Sequence, residues 1–449
     1  CMFDACQQKG FAIYCSERHR KAVRPKLEIV KTFGNYVDNW CETSPERARW
    51  LLKTGWEAQN LKFHMLPDKR LNRSDQYLAN MMMNMMIQPL KRPDSSVLVS
   101  VFTPCELMQE AGLYPYNVES FSCYLSASQA ERAFLQNAED CGLSETLCSY
   151  HKTFIGAAEK GLLPKPKCIV YTSLACDANL LTFQRMSEFY KIPVFAIDVP
   201  SSQNQQNVEY VAEQLRDLAA FIEKITGKKI DQDSLKERLK RSRKTLEQYD
   251  AFQKARADKY VPADLVSPLY SGMTNNILLG TEEEEKYTEM LLQEVSKAPS
   301  KKGKHIYWMH TIPFWSDAVK DALLLKEDAQ IVGCELAQVI DLSRHSEDPY
   351  EEMAMRLVYH ALNGPVSRRI QAGIQHAKEV GADGAVWFNH WGCKHTLGGS
   401  RIAKKRFEEA GIPMLLLDGD GCDRSHGGEG QTSTRLGAFL EMLGDQDHE

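Results

Sequence analysis

The chain has 449 residues, of which 43% are hydrophobic and 26% charged, a composition typical of globular proteins. At roughly 100–200 residues per domain, this length predicts about two to four domains. The net charge of −5 argues against a nucleic-acid binder, which usually carries a basic surface. No apolar run approaches the roughly 18 residues that a membrane-spanning helix needs. We find no secretory signal and expect a cytoplasmic location; the sequence begins at Cys1 rather than Met, which leaves its true N-terminus open.

The first part of the chain is predicted to be helical. Apolar residues recur at spacings of three and four around Trp50–Leu52 and Trp56–Leu61. A polar break at Lys91–Ser96 ends this pattern. We therefore expect a helical N-terminal region over residues 1–94.

From residue 97, short apolar runs alternate with longer amphipathic segments, which predicts a parallel sheet covered on both faces. We assign residues 95–229 to a first α/β domain, with helices at 126–140, 179–190 and 206–226. Its predicted strands are Val97–Phe102, Glu119–Cys123, Cys168–Thr172 and Pro193–Asp198.

The alternation is interrupted at residues 230–300, a charged stretch that predicts a helical insertion or linker. It resumes over residues 301–449, with helices at 313–325, 349–362, 366–380, 399–410 and 430–443. The predicted strands of this part are His305–His310, Gln330–Cys334, Gly384–Phe388 and Pro413–Asp418. The expected fold class is α/β, with two doubly wound four-stranded parallel-sheet domains whose strand ends face one cleft.

Cysteines follow several of the predicted strands. In open parallel sheets, ligands bind beyond the carboxyl ends of the strands. Of the thirteen cysteines, Cys105, Cys176, Cys393 and Cys422 each come within a few residues after a strand, and Cys334 ends another. Buried free thiols are the alternative for each of them, because cysteine packs as a small hydrophobe.

A site of three thiolates can be assembled from Cys148, Cys176 and Cys393, which belong to well-separated segments. Thiolates suit iron–sulfur clusters or zinc. The short C-x₂-C pairs of zinc knuckles are not found in the sequence. Three cysteines on a four-iron cluster leave one iron without a protein ligand, as in an open catalytic metal site.

The chain resembles the 2-hydroxyacyl-CoA dehydratase / benzoyl-CoA reductase family over about residues 95–445. Each matching segment is short, and their order and spacing together carry the resemblance. The segments are TPCELMQEAGLYP (103–115), the surroundings of Cys148, YTSLACDAN (171–179), FAIDVPSS (195–202), WGCKHTLGG (391–399) and LDGDGCDRSHGGEGQTSTRLGAFLEML (417–443).

The resemblance implies one [4Fe–4S] cluster per chain, held by Cys148, Cys176 and Cys393 at the cleft between two α/β domains. It implies an oxygen-sensitive lyase of anaerobes that removes water from a 2-hydroxyacyl-CoA. A separate ATP-hydrolysing iron–sulfur activator supplies one electron, and the resulting ketyl radical expels the hydroxyl. The expected assembly is a homodimer or a heterodimer with a homologous subunit.

The resemblance also implies catalytic candidates. The glutamate of its P-x-E-L element falls on Glu106, a candidate for proton transfer. His151, His390 and His395 lie near the proposed ligands in sequence, so we regard them as hydrogen-bond donors to the ligands or as acid–base groups. Ordinary packing is the alternative for each histidine. Asp177 is expected to be a helix N-cap.

Three functions stay open on the sequence alone. The chain is either a catalytic dehydratase subunit, a reductase of the same family, or a partner subunit that only relays electrons. The extra thiols Cys105 and Cys422 raise the alternative of a double-cubane cluster in a reductase. The N-terminal cysteines Cys1, Cys6, Cys15 and Cys41 lack the spacing of a ferredoxin run, so we expect simple thiols there.

Overall fold

The computed structural model describes residues 17–262, 264–339, 341–426 and 428–445. The N-terminal region is helical, as predicted, and consists of α1 (Glu17–Thr43), α2 (Pro45–Met65) and α3 (Arg73–Lys91). The methionine-rich face of α3, including Met82 and Met86, is buried against the first sheet's core. Cys1, Cys6 and Cys15 lie outside the described residues.

The first sheet contains four parallel strands in the order β2-β1-β3-β4. The elements of this unit, in chain order, are β1 (Ser96–Val99), α4 (Glu106–Glu110), β2 (Tyr114–Asn117), α5 (Val118–Ala127), α6 (Glu131–Asp140), α7 (Ser149–Glu159), β3 (Cys168–Thr172), α8 (Asp177–Tyr190), β4 (Val194–Ile197) and α9 (Gln205–Thr226).

The expected strand at Glu119–Cys123 is wrong. These residues belong to α5, and the strand lies just before them, at β2. The Asn117 side chain accepts a hydrogen bond of 2.7 Å from the Ser120 amide and so starts the helix. Because α5 is buried on nearly every side, its apolar residues do not show the spacing of an amphipathic helix. A short apolar run of this kind can be predicted as a strand or as a helix.

Residues 230–300 form α10 (Gln232–Ala255), α11 (Ser267–Ile277) and α12 (Glu282–Lys297), in agreement with the predicted helical character of this stretch. The charged residues of α10 lie on its outer face, while Leu235, Leu239 and Phe252 are buried. Helices α10 and α12 pack against each other.

The second sheet repeats the topology of the first, with the order β6-β5-β7-β8 and all strands parallel. Its core lies on both faces, one centred on Trp308 and the other on Trp387. The elements are β5 (Lys304–Met309), α13 (Asp317–Leu323), β6 (Ala329–Cys334), α14 (Pro349–Val358), α15 (Val366–Glu379), β7 (Gly384–His390), α16 (Lys394–Leu397), α17 (Ser400–Glu409), β8 (Met414–Gly419) and α18 (Glu429–Asp445).

The predicted α/β class with two parallel sheets is therefore confirmed, while the domain boundaries stay a prediction. Helix α14 packs against α9, so the two halves of the chain are interleaved. Among the described residues, no helix is long and apolar enough to cross a membrane. The cytoplasmic location stays a prediction as well.

Each sheet has a point where the strand order reverses, between β1 and β3 and between β5 and β7. The loops after these strands diverge to opposite faces of the sheet and leave a crevice at its carboxyl edge. The residues that follow β1, β3, β5 and β7 therefore border these two crevices.

Candidate active site

The three cysteines predicted as ligands all stand directly before helices. Cys176 ends the loop after β3 and precedes α8, and Cys393 ends the loop after β7 and precedes α16. Cys148 precedes α7 and comes from the loop after α6. Two of the thiols thus occupy equivalent places, after the third strand of each sheet.

The structure brings these three thiols together. Burial raises the pKa of Cys148 well above its ordinary value, and the nearby Cys176 and Cys393 raise it further. Burial likewise raises the pKa of Cys176 to about 12, with Cys393 among the contributing neighbours. The backbones also meet, since a Cβ added at Gly392 would lie 2.7 Å from the Cys148 amide nitrogen. That the three thiols hold a metal cluster stays a prediction.

The residues before Cys176 and Cys393 share an unusual backbone conformation. Ala175 has φ of +67° and Gly392 has φ of +79°. A left-handed conformation is costly for a residue with a Cβ and free for glycine. A left-handed residue therefore precedes one cysteine after each sheet, with strain at Ala175 and none at Gly392.

An imidazole faces each of the three thiols. The Nε2 atom of His390 lies 3.2 Å from Cys148 Sγ. The corresponding distances are 3.6 Å from His151 to Cys176 and 3.7 Å from His310 to Cys393. Hydrogen bonds to sulfur are longer than those to oxygen, so all three are within reach of an N–H···S contact.

Burial keeps these imidazoles neutral. It lowers the pKa of His151 to about 3 and that of His310 well below its ordinary value. The pKa of His390 is also lowered by burial, although the Asp420 carboxylate opposes the shift. A neutral imidazole has one N–H and one lone pair, so each ring can donate to its thiol through Nε2.

His310 was not identified from the sequence, although it follows β5 directly and the rule for strand ends covers it. It has φ of +76°, a strained conformation of the kind that clusters at functional sites. Its amide donates a hydrogen bond of 3.0 Å to Glu335 Oε2. Glu335 is in turn held by Arg369 through two hydrogen bonds of 2.6 Å, so a buried ion pair fixes His310.

His395 lies in α16, two residues after Cys393. Its carbonyl accepts a hydrogen bond of 2.6 Å from Arg369 Nη1, and its buried Nε2 has no hydrogen-bond partner. Burial and the Arg369 charge lower the pKa of His395. The Arg369 side chain therefore ties the turn of Cys393 to the same ion pair that fixes His310.

A turn after β8 supports the other side of the site. Asp420 Oδ1 accepts a hydrogen bond of 2.6 Å from Ser149, the neighbour of Cys148. The same oxygen accepts from the amides of Cys422 and Asp423, at 2.7 Å each. One buried carboxylate thus joins the segment of Cys148 to the turn that follows the second sheet.

Glu106 stands at the start of α4, after β1, and is fully buried. Its Oε1 accepts hydrogen bonds from Ser242 at 2.9 Å and from Arg356 at 2.5 Å, and its Oε2 has no hydrogen-bond partner. The carboxylate is thus held in an ion pair, with one oxygen left for a proton or a ligand.

Glu119, in the first turn of α5, was missed because its segment was assigned to a strand. Burial raises the pKa of Glu119 to about 7, and this carboxyl in turn raises the pKa of Cys176. Its Oε2 accepts a hydrogen bond of 2.8 Å from Asn117. A carboxyl group that titrates near neutral pH therefore lies beside one of the thiols.

The remaining candidates occupy separate positions. Cys422 packs in one buried cluster with Cys123 and Cys148. Cys105 donates to the Thr103 carbonyl at 3.2 Å. Asp177 is the first residue of α8, which Cys176 precedes as N-cap residue, so the expectation that Asp177 is the N-cap is wrong.

The donor set suits an iron–sulfur cluster. One buried and two half-buried thiols converge from three segments, and thiolates are the usual ligands of such clusters. Among the residues that the structure describes, no group of three or more His, Cys, Asp and Glu side chains is close enough to hold a single metal ion. A four-iron cluster binds each thiolate through a different iron, so its ligands need not converge on one point.

The chain is thus an α/β protein with two doubly wound sheets and a cysteine after the third strand of each. The chain belongs to the 2-hydroxyglutaryl-CoA dehydratase D-component family, whose sequence profile matches residues 100–443. The resemblance found in the sequence is thereby confirmed.

The relatives in this family include dehydratases and a reductase. The chain is 23% identical over 363 residues to the (R)-phenyllactyl-CoA dehydratase alpha subunit of Clostridium sporogenes, covering 76% of this chain and 87% of the relative. It is 25% identical to the beta subunit of that enzyme, covering 76% and 90%. A benzoyl-CoA reductase subunit of Thauera aromatica is 22% identical, covering 69% and 79%.

Proposed function

We propose that this chain is the [4Fe–4S] subunit of an enzyme like the 2-hydroxyacyl-CoA dehydratases, which eliminates water from a 2-hydroxyacyl-CoA. The observation that carries the proposal is the convergence of Cys148, Cys176 and Cys393 beside the reversal points of two equivalent sheets. Membership in a family whose relatives are dehydratase subunits supports it.

The three cysteines would hold the cluster, which supplies one electron of low potential when an ATP-hydrolysing activator has reduced it. With that electron a bound 2-hydroxyacyl-CoA would form a ketyl radical and lose its hydroxyl, and the proton on its β-carbon would become acidic. The electron would return to the cluster afterwards, so no net reductant would be consumed. The burial of Cys148 supports this chemistry, because exclusion of water protects a radical.

We propose Glu119 as the group that accepts the proton. Its carboxyl lies beside Cys176, and its pKa of about 7 lets it hold and release a proton near neutral pH. Glu106 keeps the role expected from the sequence as a second candidate, through its unpartnered Oε2. His151 is better suited to orient Cys176, since its Nδ1 is already hydrogen-bonded to Thr182 at 2.8 Å.

His395 stays a candidate acid–base residue, as expected from the sequence. Its Nε2 is buried without a hydrogen-bond partner, so this atom is available to a substrate or leaving group. The hydrogen bond from Arg369 to the His395 carbonyl fixes the backbone that carries the imidazole ring.

Two adjacent cavities are candidates for binding part of an acyl-CoA. A cavity of about 560 Å³ is bordered by Glu335, the residue that holds His310, and by the polar residues of α15. A second cavity of about 40 Å³ is bordered by Arg356. Both are lined by Gln338 and His360. We propose that the larger cavity holds part of the CoA.

The proposed partners are the activator and a second, homologous subunit. The relatives of this chain include both an alpha and a beta subunit of one dehydratase, at similar identity. Because of that similarity, the alternative to a catalytic subunit is one that only relays electrons to a catalytic partner chain.

The test is an anaerobic assay of the purified chain with an activator, ATP and a low-potential reductant. A panel of 2-hydroxyacyl-CoA thioesters is offered, and enoyl-CoA is measured, with and without a homologous second chain. The proposal predicts dehydration that is lost in Cys176→Ala and kept in Cys141→Ala, whose thiol is exposed. Glu119→Gln is expected to lose at least tenfold in kcat.

Three other results would decide against the proposal. Reduction of an aromatic acyl-CoA without dehydration would favour the reductase. Dehydration that survives Glu119→Gln and Glu106→Gln in this chain, but needs an intact partner chain, would favour the relay subunit. No reaction in a cluster-bearing protein supplied with every component would contradict both enzyme assignments.

A further inference from the structure

We infer that His390, His151 and His310 each donate an Nε2–H hydrogen bond to one thiolate ligand and so set how readily the bound cluster accepts its electron. This inference rests on the proposed function, because it takes Cys148, Cys176 and Cys393 as the ligands. It assigns the three histidines as positioning residues, which act on the cluster through the sulfur atoms.

The protonation of His390 follows from its backbone partner. The Gly421 amide nitrogen lies 3.1 Å from His390 Nδ1 and donates to it. A backbone N–H is always a donor, so Nδ1 must present its lone pair. The proton of the neutral ring is therefore on Nε2, which lies 3.2 Å from Cys148 Sγ. The ring can only donate to this sulfur.

The Gly421 amide is held in place from several sides. Its carbonyl accepts a hydrogen bond of 3.2 Å from Trp315 Nε1. The two following amides are bound to Asp420 Oδ1, as described above. Asp420 Oδ1 lies 3.9 Å from His390 Nδ1, and with three donors already bound it competes poorly with the Gly421 amide for that atom. The tautomer of His390 is thus fixed by the fold.

The other two histidines complete the set. His151 Nδ1 is hydrogen-bonded to the Thr182 hydroxyl at 2.8 Å, and a hydroxyl can donate there and leave Nε2–H for Cys176. His310 has a buried Nδ1 without a hydrogen-bond partner among the described residues, while its Nε2 contacts Cys393 Sγ. The His310 and His390 rings stack, with centroids 5.9 Å apart.

The chemical consequence concerns the added electron. Reduction increases the negative charge on the thiolate sulfurs, and an N–H dipole that points at a sulfur stabilises this charge. Hydrogen bonds to the sulfurs are among the main determinants of the potential of a cluster. Without these donors the cluster would accept the electron less readily, so the histidines raise its potential.

The experiment compares four anaerobically purified proteins: wild type, His390→Phe, His390→Gln and His305→Phe. His305 is a matched control, because it is buried at the opposite end of β5 and faces Gln330 at 3.2 Å. Iron and acid-labile sulfide give the loading, and an EPR-monitored redox titration gives the midpoint potential. Wild type is also prepared with ¹⁵N-labelled histidine, and weak hyperfine couplings of nitrogen to the reduced cluster are measured.

We expect His390→Phe to keep its iron and to accept an electron about tenfold less readily, a fall of about 59 mV in midpoint potential. His390→Gln should recover part of this fall, since an amide N–H can replace the donor, and His305→Phe should match wild type. The labelled wild type should show histidine nitrogen couplings, a result that needs no variant to fold.

Two results would overturn the inference while leaving the proposed function intact. One is a cluster-bearing His390→Phe with the midpoint potential of wild type. The other is a labelled wild-type cluster without any histidine nitrogen coupling. Absence of iron from anaerobic wild type would instead contradict the proposed function itself, so the two failures are distinguishable.

Discussion

The turns that present Cys176 and Cys393 share their place in the topology and their backbone conformation, and they differ in their surroundings. Each follows the third strand of a four-stranded parallel sheet, and each ends in a cysteine that precedes a helix. In each, the residue before the cysteine has a left-handed conformation. The first turn uses alanine there, although glycine would be less strained.

The difference lies in what surrounds the two turns. A Cβ at Gly392 would meet the backbone of Cys148, so alanine has no room in the second turn. The first turn has that room, and Ala175 packs against the core instead. The second unit also supplies His310 and His390, while the first supplies His151 and the Glu119 carboxyl. The two units thus share a topology but place different side chains beside their cysteines.

The largest effect is expected from the Arg369–Glu335 ion pair, which holds the turn of Cys393 in the second unit. Arg369→Met would leave the Glu335 carboxylate buried without its partner; both side chains are only 2% exposed. We expect a loss of roughly 3–5 kcal/mol in the free energy of unfolding. Chemical denaturation measures it, with Arg401→Met, at an exposed position of α17, as control. A loss below about 1 kcal/mol would show that the pair does not hold the second turn.

The next prediction separates the close approach from the strained backbone. Gly392→Ala should cost roughly 3–4 kcal/mol, from the left-handed conformation together with the clash on Cys148. Gly411→Ala is the matched control, since Gly411 has φ of +81° and open space around its Cβ position. We expect the control to lose only about 1–2 kcal/mol. Equal losses in the two variants would show that the close approach to Cys148 adds no cost.

The third prediction concerns the carboxyl group of the first unit. The folded protein binds a proton at Glu119 up to about pH 7, while the unfolded chain releases it near the ordinary pKa of 4.5. Stability from this group is therefore complete at low pH and is lost as the pH rises toward and through 7. Between about pH 5 and pH 8, Glu119→Gln should gain roughly 2–3 kcal/mol relative to wild type.

This gain is measured as the difference between two urea titrations at each pH. Other buried carboxyl groups, such as Asp38 and Glu131, also have a raised pKa of about 7, so only the difference from wild type reports Glu119. Glu188→Gln, at an exposed position, serves as control. A difference that does not change with pH would mean that Glu119 is ionised in the fold.

The smallest effect is expected at the first turn itself. Ala175→Gly would relieve the left-handed strain and would add backbone entropy to the unfolded chain, and these two contributions are of similar size. We expect the free energy of unfolding to change by less than about 1 kcal/mol. A loss of more than about 2 kcal/mol would show that the Cβ of Ala175 is essential to its packing, which would make the two turns less alike than their backbones are.

Much of this architecture could be predicted because it depends on local patterns. Strands such as β3 and β7 are buried on both faces and therefore stand out as continuous apolar runs. The rule that ligands lie beyond strand ends then pointed to Cys176 and Cys393. The error at Glu119–Cys123 came from a helix buried on nearly every side, where the helical period disappears.

The rest of the site could not be predicted because it depends on contacts between distant segments. The approach of Gly392 to Cys148 joins residues that lie far apart in the sequence and in different halves of the chain. His390 owes its tautomer to the Gly421 amide, which no side-chain pattern records. His310 was within reach of the strand-end rule, but its strained backbone is visible only in the structure.

The most direct test of this account is the iron and sulfide content of the anaerobically purified protein, measured beside its EPR spectrum. Wild type should contain about four irons per chain, and Cys148→Ala, Cys176→Ala and Cys393→Ala should each lose them, while Cys141→Ala keeps them. About eight irons would indicate a double cubane. No iron in wild type, or iron unaffected by these three changes, would contradict the assignment of the three thiols as ligands.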